Sequence, residues 1–260
     1  MPEQKFSIIL PTYKRPIIVD RSITSVVNQN YSNWQLYVVI DDTDQAYNQI
    51  KDKYKNNKQI TFIQNSENIG KNKSLNVALD KLAKDQFEGF VIFLDDDDWL
   101  STDCLKDFAK AINKNPNRNW FVSERANADT KQSYTINKTS RTIINYIKDM
   151  LLTRKFSGDT TQCLNFEIFN QVRFPSIIKN AEEWLYFAEV AEAEKNFLFL
   201  PTVGTYSLGY ATDGLTYNYH NKKERWQNNI LILKELKQRK LFSLPITIYF
   251  IARLLKSLIK

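Results

Sequence analysis

The chain predicts an α/β fold built on a Rossmann-like, mostly parallel central sheet with flanking helices. Three observations carry that expectation. Apolar runs begin near Phe6, Gln35, Ile60, Phe90 and Asn119, each separated from the next by a segment of helical character, which is the rhythm of βαβ units. Leu36 to Ile40 is almost continuously apolar, as in a strand buried on both faces of a parallel sheet. Polar residues gather where these runs end, at Thr12, at Asp41-Asp42 and at Asp95 to Asp98. In open α/β sheets that edge is where ligands bind, so residues far apart in sequence converge there.

Each element has its own signal. Phe6 to Leu10 ends at Pro11, and Pro16 suits a first helical turn ahead of the apolar spacing Ile23, Val26, Val27. The third helix is legible in Leu75, Ala78, Leu79 and Leu82, and the fourth in Cys104, Leu105, Phe108 and Ile112. With 260 residues and 43% hydrophobic composition, the chain accommodates one large α/β domain, with or without a small appendage. The net charge of +7 comes with no nucleic-acid-binding signature, and acidic clusters interrupt the basic residues. Anionic lipid or a phosphorylated substrate is the easier match. Cys104 and Cys163 have no metal-type spacing, and Met1 to Lys5 leads into a strand without a secretory pattern. Both point to a reducing cytoplasm.

Asp95-Asp96-Asp97-Asp98 directly follows the apolar run Phe90 to Leu94. Two like charges about 4 Å apart repel by roughly 4 kcal/mol at an effective dielectric near 20, so such crowding calls for a counter-charge. Carboxylates without nearby Cys or His favour Mg2+ or Mn2+ over zinc, and an open coordination sphere takes phosphate oxygens. The alternative is a solvated acidic turn that caps a helix starting near Ser101. None of the six glycines builds a dinucleotide fingerprint or a phosphate-cradling loop. A diphosphate would instead be neutralised by a cation at Asp97 with help from Lys71 or Lys73, although a lysine on a helix is more often a solvated face. Asp42 either caps the helix after Thr43 or accepts the ring N–H of a pyrimidine.

These residues resemble the inverting family 2 glycosyltransferases, whose catalytic domain has the glycosyltransferase-A fold, over roughly residues 5 to 200. Phe6 to Pro16 is similar to the family's opening strand and nucleotide loop. Ser25-Val26-Val27-Asn28-Gln29-Asn30-Tyr31 resembles its S-V-x-x-Q-x-Y stretch, and Val38 to Asp42 its second strand. Asn68-Ile69-Gly70 with Asn76 resembles the N-x-G…N segment, with Ser74-Leu75 where Ala-Arg is usual. Phe93 to Leu100 resembles the D-x-D-D-W-L metal motif. The resemblance implies a nucleotide-sugar donor, UDP above all, contacted by Pro11, Thr12, Tyr13, Arg15, Asp42, Lys71, Lys73, Asn76, Asp95 and Asp96. It implies Asp97 as the principal metal ligand, with Asp98 left to serve the following helix.

Glu182-Glu183-Trp184 resembles the family's E-D-W element, with Glu183 in the place of the usual Asp. By that likeness Glu183 is the catalytic base, and Glu182 and Trp184 face the acceptor; taken alone, the two acids would merely favour a helix N-terminus. A single base and a single metal suffice for inverting transfer, without a covalent intermediate. Residues 1–215 would form the catalytic domain, with a donor half (1–124) and an acceptor half (125–215), and 216–260 a helical C-terminal extension. His220, the one histidine, is either a surface residue or a further metal ligand.

From Ile246 to Lys260 the chain is apolar, with Arg253, Lys256, Ser257 and Lys260 at helical spacing. This basic amphipathic helix either lies on an anionic membrane or covers the catalytic domain or an oligomer interface. The implied role is transfer to a glycan or lipid-linked acceptor of a bacterial surface polysaccharide such as lipopolysaccharide or capsule. A sugar nucleotidyltransferase and a catalytically silent nucleotide-sugar binder are the alternatives. The first normally shows a Gly-rich loop after its first strand, and Pro11 to Arg15 contains no glycine.

Overall fold

The computed structural model describes residues 3–178, 181–208 and 222–259. The first half of the chain runs β1 (Phe6–Thr12), α1 (Ile18–Val27), β2 (Trp34–Ile40), α2 (Tyr47–Tyr54), β3 (Ile60–Gln64), α3 (Lys71–Lys84), β4 (Phe90–Phe93), β5 (Trp99–Leu100), α4 (Cys104–Lys114) and β6 (Trp120–Asn127). Then come β7 (Ile136–Asn137), β8 (Ile143–Asn145), a π-helical turn at Tyr146–Leu152, β9 (Phe156–Ser157), β10 (Thr160–Asn165) and α5 (Phe166–Phe169). Helix α6 (Trp184–Ala193), β11 (Asn196–Ser207), α7 (Lys222–Gln238) and α8 (Leu244–Ile259) complete the order.

The main sheet is ordered β3-β2-β1-β4-β10-β6-β11-β5, with β8 also on β11. Strands β3, β2, β1 and β4 are parallel, as the βαβ rhythm predicts, whereas β10 inserts antiparallel between β4 and β6. Alternation along the central strands explains why they are apolar on both faces over most of their length. Ile9, Tyr37 and Val39 face one layer with Leu75, Ala78, Leu79 and Leu82 of α3, while Ile8, Leu10, Leu36 and Val38 face the other with α1 and α4. Both faces are covered, so both sets are mainly apolar, and the buried Ser7 accepts from Gln35 Nε2 on the neighbouring strand at 3.4 Å.

Two sequence expectations shift at this level. Val27 is partly exposed, and the buried stripe of α1 is Val19, Ser22, Ile23 and Val26. The helix after the acidic run starts at Cys104 rather than near Ser101, and its N-cap is Asp103, so Asp98 does not serve it. Pro16 does sit in the turn leading into α1, where the Arg15 carbonyl accepts from the Val19 amide at 3.1 Å.

Helix α8 carries Pro245 in its first turn. Ile246 and Phe250 are buried, together with Ile232 and Leu236 of α7, in the core cluster that holds Leu185 and Ala188 of α6. Among the described residues no helix is long and apolar enough to cross a membrane. Arg253, one of the basic residues at helical spacing, pairs with the buried Glu182. His220 lies outside the described residues.

Candidate active site

The acidic run is a turn between β4 and β5, closed by the Asp98 amide donating to the Asp95 carbonyl at 3.1 Å. Helix α1 holds its backbone. Ser22 Oγ donates to the Asp96 and Asp98 carbonyls, and Arg21 Nη2 donates to the Asp97 carbonyl at 2.7 Å while stacking on Trp99. The Leu100 amide donates to Ser25 Oγ at 3.0 Å. Gln29 donates to the Ser101 carbonyl at 2.7 Å and accepts from the Leu105 amide at 3.1 Å. The S-V-x-x-Q spacing therefore has a physical meaning: Ser25 in the last turn of α1 and Gln29 just past its end fasten the turn and the start of α4.

Because the backbone zigzags, the four carboxylates part company. Asp96 and Asp98 are buried, and Asp95 and Asp97 are partly exposed. Asp96 accepts from Thr12 Oγ1 at 2.9 Å and from Arg15 Nη1 at 3.0 Å, and the same Arg15 nitrogen reaches Asp97 at 3.0 Å. Since Thr12 donates to Asp96, the buried Tyr47 hydroxyl donates to Thr12 (3.2 Å) while accepting the Arg15 amide at 3.0 Å. Asp98 pairs with Arg125 Nη2 of β6 at 2.8 Å. Oxygens of Asp95, Asp97 and Asp98 all lie within 4.8 Å of one another.

Burial raises the Asp96 pKa, and the pull of Arg15 and Thr12 does not offset it. Burial also pushes Asp98 up to about 7 against the pull of Arg125, with Asp95 and Asp97 adding repulsion. Asp95 ends below the ordinary carboxylate range, because burial is outweighed by Lys71, Arg125 and Arg15. Lys71 Nζ lies 2.7 Å from Asp95 and 3.1 Å from Glu183. Burial would lower its pKa, but the two carboxylates prevail and raise it. Asp95 to Asp98 and Glu183 set five carboxyl groups around the three cations Arg15, Lys71 and Arg125.

The remaining predicted residues fall into distinct places. Pro11 is buried at the end of β1 and Tyr13 is exposed. Asp41, the neighbour of the predicted Asp42, accepts from the Ile69 and Gly70 amides at 2.9 and 2.7 Å and from Asn65 Nδ2 at 2.9 Å, so it fixes the loop entering α3. Gly70 has φ 92 there, a backbone that L side chains resist. Asp42 Oδ1 accepts the Asp44 amide at 3.2 Å, and its Oδ2 is buried without a partner among the described residues. Helix α2 takes its local bond from Asp44 instead, which accepts the Ala46 amide at 2.8 Å.

Lys71 faces the acidic turn, whereas Lys73, two residues on, is exposed. The Asn76 amide is engaged at both ends by the Phe174 backbone, at 2.8 and 3.0 Å. Glu183 is the N-cap of α6 and is partly exposed, with its carboxylate on Lys71. Glu182 is buried and committed: it accepts from Trp184 Nε1 and Asn228 Nδ2, both at 2.7 Å, and from Arg253. Trp184 packs edge-on against Tyr249 of α8. The sequence did not single out Tyr47, Arg21 or Arg125. Arg125 follows an apolar strand run, and only strand pairing brings it beside Asp98.

Comparison with known proteins agrees with this architecture. The family model described as "Glycosyl transferase family 2" matches residues 7–174. The poly(ribitol-phosphate) beta-N-acetylglucosaminyltransferase TarS of Staphylococcus aureus is 27% identical over 189 residues, covering 70% of this chain and 31% of TarS. A Campylobacter jejuni GalNAc(5)-diNAcBac-PP-undecaprenol beta-1,3-glucosyltransferase is 29% identical over 112 residues, 42% of this chain and 35% of that protein. The chain spans about a third of the length of these relatives.

Among solved structures, S. aureus TarS 1–349 in complex with UDP-GlcNAc superposes with a TM-score of 0.68 at 24% identity, over 89% of this chain and 66% of that one. The mannosyltransferase PcManGT of Pyrobaculum calidifontis, in complex with GDP-Man and Mn2+, gives 0.60 at 14% identity, over 97% and 69%. At these identities the structures speak for the fold, which is glycosyltransferase-A. With the family model covering more than half of its length, the chain belongs to glycosyl transferase family 2.

Proposed function

We propose that this site transfers a sugar, with inversion, from a nucleotide sugar to a hydroxyl of a glycan or lipid-linked acceptor in bacterial surface polysaccharide synthesis. The observation that carries the reading is the Lys71 bridge. It brings Glu183, from the second half of the chain, to the acidic turn at the end of β4, so a base and a phosphate-neutralising centre share one cation. Glu183 removes the acceptor hydroxyl's proton as that oxygen attacks the anomeric carbon. The bond to the diphosphate breaks on the opposite face, and its electron pair leaves with the phosphate oxygen.

Lys71 and Arg15 place positive charge beside the departing diphosphate. Asp42 Oδ2, buried and without a partner among the described residues, suits the ring N–H of uracil, which favours UDP as the carrier. The carboxylate set fits Mn2+ or Mg2+ as well. Its oxygens are hard donors, and Asp95, Asp97 and Asp98 are grouped closely enough to share an ion. Such an ion would supply Lewis-acid stabilisation of the leaving diphosphate.

A thermal-shift panel of uridine, guanosine and thymidine sugars with manganese tests the reading: stabilisation by at least one sugar nucleotide is the expected result. On α8, Leu244, Ile248, Ile251 and Leu255 form an exposed apolar stripe at helical spacing, consistent with a peripheral position on an anionic membrane. Ile248→Asp should reduce co-sedimentation with anionic liposomes, and unchanged sedimentation would remove the membrane from the account.

A further inference from the structure

The segment that delivers Glu183 is held in an unfavourable backbone conformation by side chains remote from the chemistry. Ala181 and Glu182 have φ of 63 and 64, consecutive left-handed values in residues that have a Cβ. Such geometry persists only where the surroundings over-determine it. On one side, Asn72 Nδ2 of α3 donates to the Ala181 carbonyl at 3.0 Å and to the Ile178 carbonyl at 2.8 Å. On the other, the buried Glu182 carboxylate is gripped by Asn228 of α7, Arg253 of α8 and the Trp184 indole. The next residue is Glu183, whose own carboxylate meets Lys71 and, through it, Asp95.

We propose that Arg253 and Asn228 are positioning residues, which act through Glu182 to aim the Glu183 carboxylate at the acceptor hydroxyl. The proposal rests on the reading of Glu183 as the base. It gives the two C-terminal helices a part in turnover beyond covering the core. Without Arg253 the Glu182 carboxylate is left buried beside fewer donors, a state relieved by turning toward water. That movement releases the left-handed pair and swings Glu183 off Lys71. A base displaced by about 1 Å can cost on the order of 10²-fold in rate. Donor affinity should change little, because Lys71 of α3 keeps its ion pair with Asp95 when Glu183 moves, and Thr12 and the acidic turn are held from β1 and α1.

The test uses the whole chain with UDP-GlcNAc and manganese, comparing kcat for UDP release with the Kd for UDP and the melting temperature. Arg253→Met should lower kcat at least about ten-fold with the Kd for UDP unchanged, and Arg253→Lys should restore part of the loss. A well-folded Arg253→Met protein with wild-type kcat, or one losing UDP affinity in proportion to kcat, overturns the proposal. Should Arg253→Met fail to fold, Asn228→Ala carries the same test: a several-fold fall in kcat at constant Kd supports the proposal and wild-type kcat overturns it. Glu183→Gln run alongside separates the two claims. If it keeps wild-type kcat, the base assignment falls and the positioning role with it. If it loses turnover while Arg253→Met does not, only the positioning role falls.

Discussion

Glu183→Gln is expected to lower turnover by roughly 10³-fold while leaving nucleotide binding intact, an effect within the range of general-base catalysis and equal to about 4 kcal/mol of barrier. The amide is close to isosteric and keeps an oxygen for Lys71, which lies 3.1 Å from the Glu183 carboxylate. It lacks the basicity to accept the acceptor's proton. Loss from kcat alone, with the Kd for UDP unchanged by calorimetry, is the signature of an interaction made in the transition state. Retention of wild-type turnover would mean that another group takes the proton.

Asp97→Asn should abolish manganese stimulation and lower turnover by about 10²-fold or more, since Lewis-acid stabilisation of a leaving group amounts to several kcal/mol. The substitution should leave the fold almost untouched. The Asp97 side chain is 39% exposed and pairs with Arg15 at 3.0 Å, and pairs near solvent contribute only about 0–1 kcal/mol. The contrast with Asp96 is instructive. That carboxylate is buried on Thr12 and Arg15, so altering it would disturb the packing of the turn as well as any ligand. A fully active Asp97→Asn enzyme would remove the metal-binding assignment.

The parallel half of the sheet was legible because its physics is local: apolar runs on β1, β2 and β4 must be covered on both faces, and α3 and α4 display the stripes that cover them. The acidic run was legible for the same reason, as a concentration of charge at a strand end. The separate tasks of its members were not. Alternation along the turn sends Asp96 to Thr12 and Asp98 to Arg125, and both partners arrive by tertiary pairing. Adjacent residues likewise diverge where only geometry decides: Asp41 clamps the loop before α3 while Asp42 Oδ1 takes only the local Asp44 amide, and Lys71 turns inward while Lys73 faces solvent. In α8 the basic spacing was plain, but a helical wheel does not reveal that a buried Glu182 would draw Arg253 inward. Glu182 itself read as a contact for the acceptor, and its three side-chain donors come from Trp184, Asn228 and Arg253.

The central claim is that the turn at Asp95 to Asp98, joined to Glu183 by Lys71, is a metal-assisted nucleotide-sugar site. The melting temperature measured across the nucleotide-sugar panel, with and without manganese, tests it most directly. A ligand at about 100 times its Kd stabilises the native state by about 2.7 kcal/mol, which for a chain of this size corresponds to roughly 5–10 °C. The account predicts such a rise for at least one uridine sugar, larger with manganese than without it and lost in Asp97→Asn. No rise with any uridine, guanosine or thymidine sugar, in either condition, would contradict it.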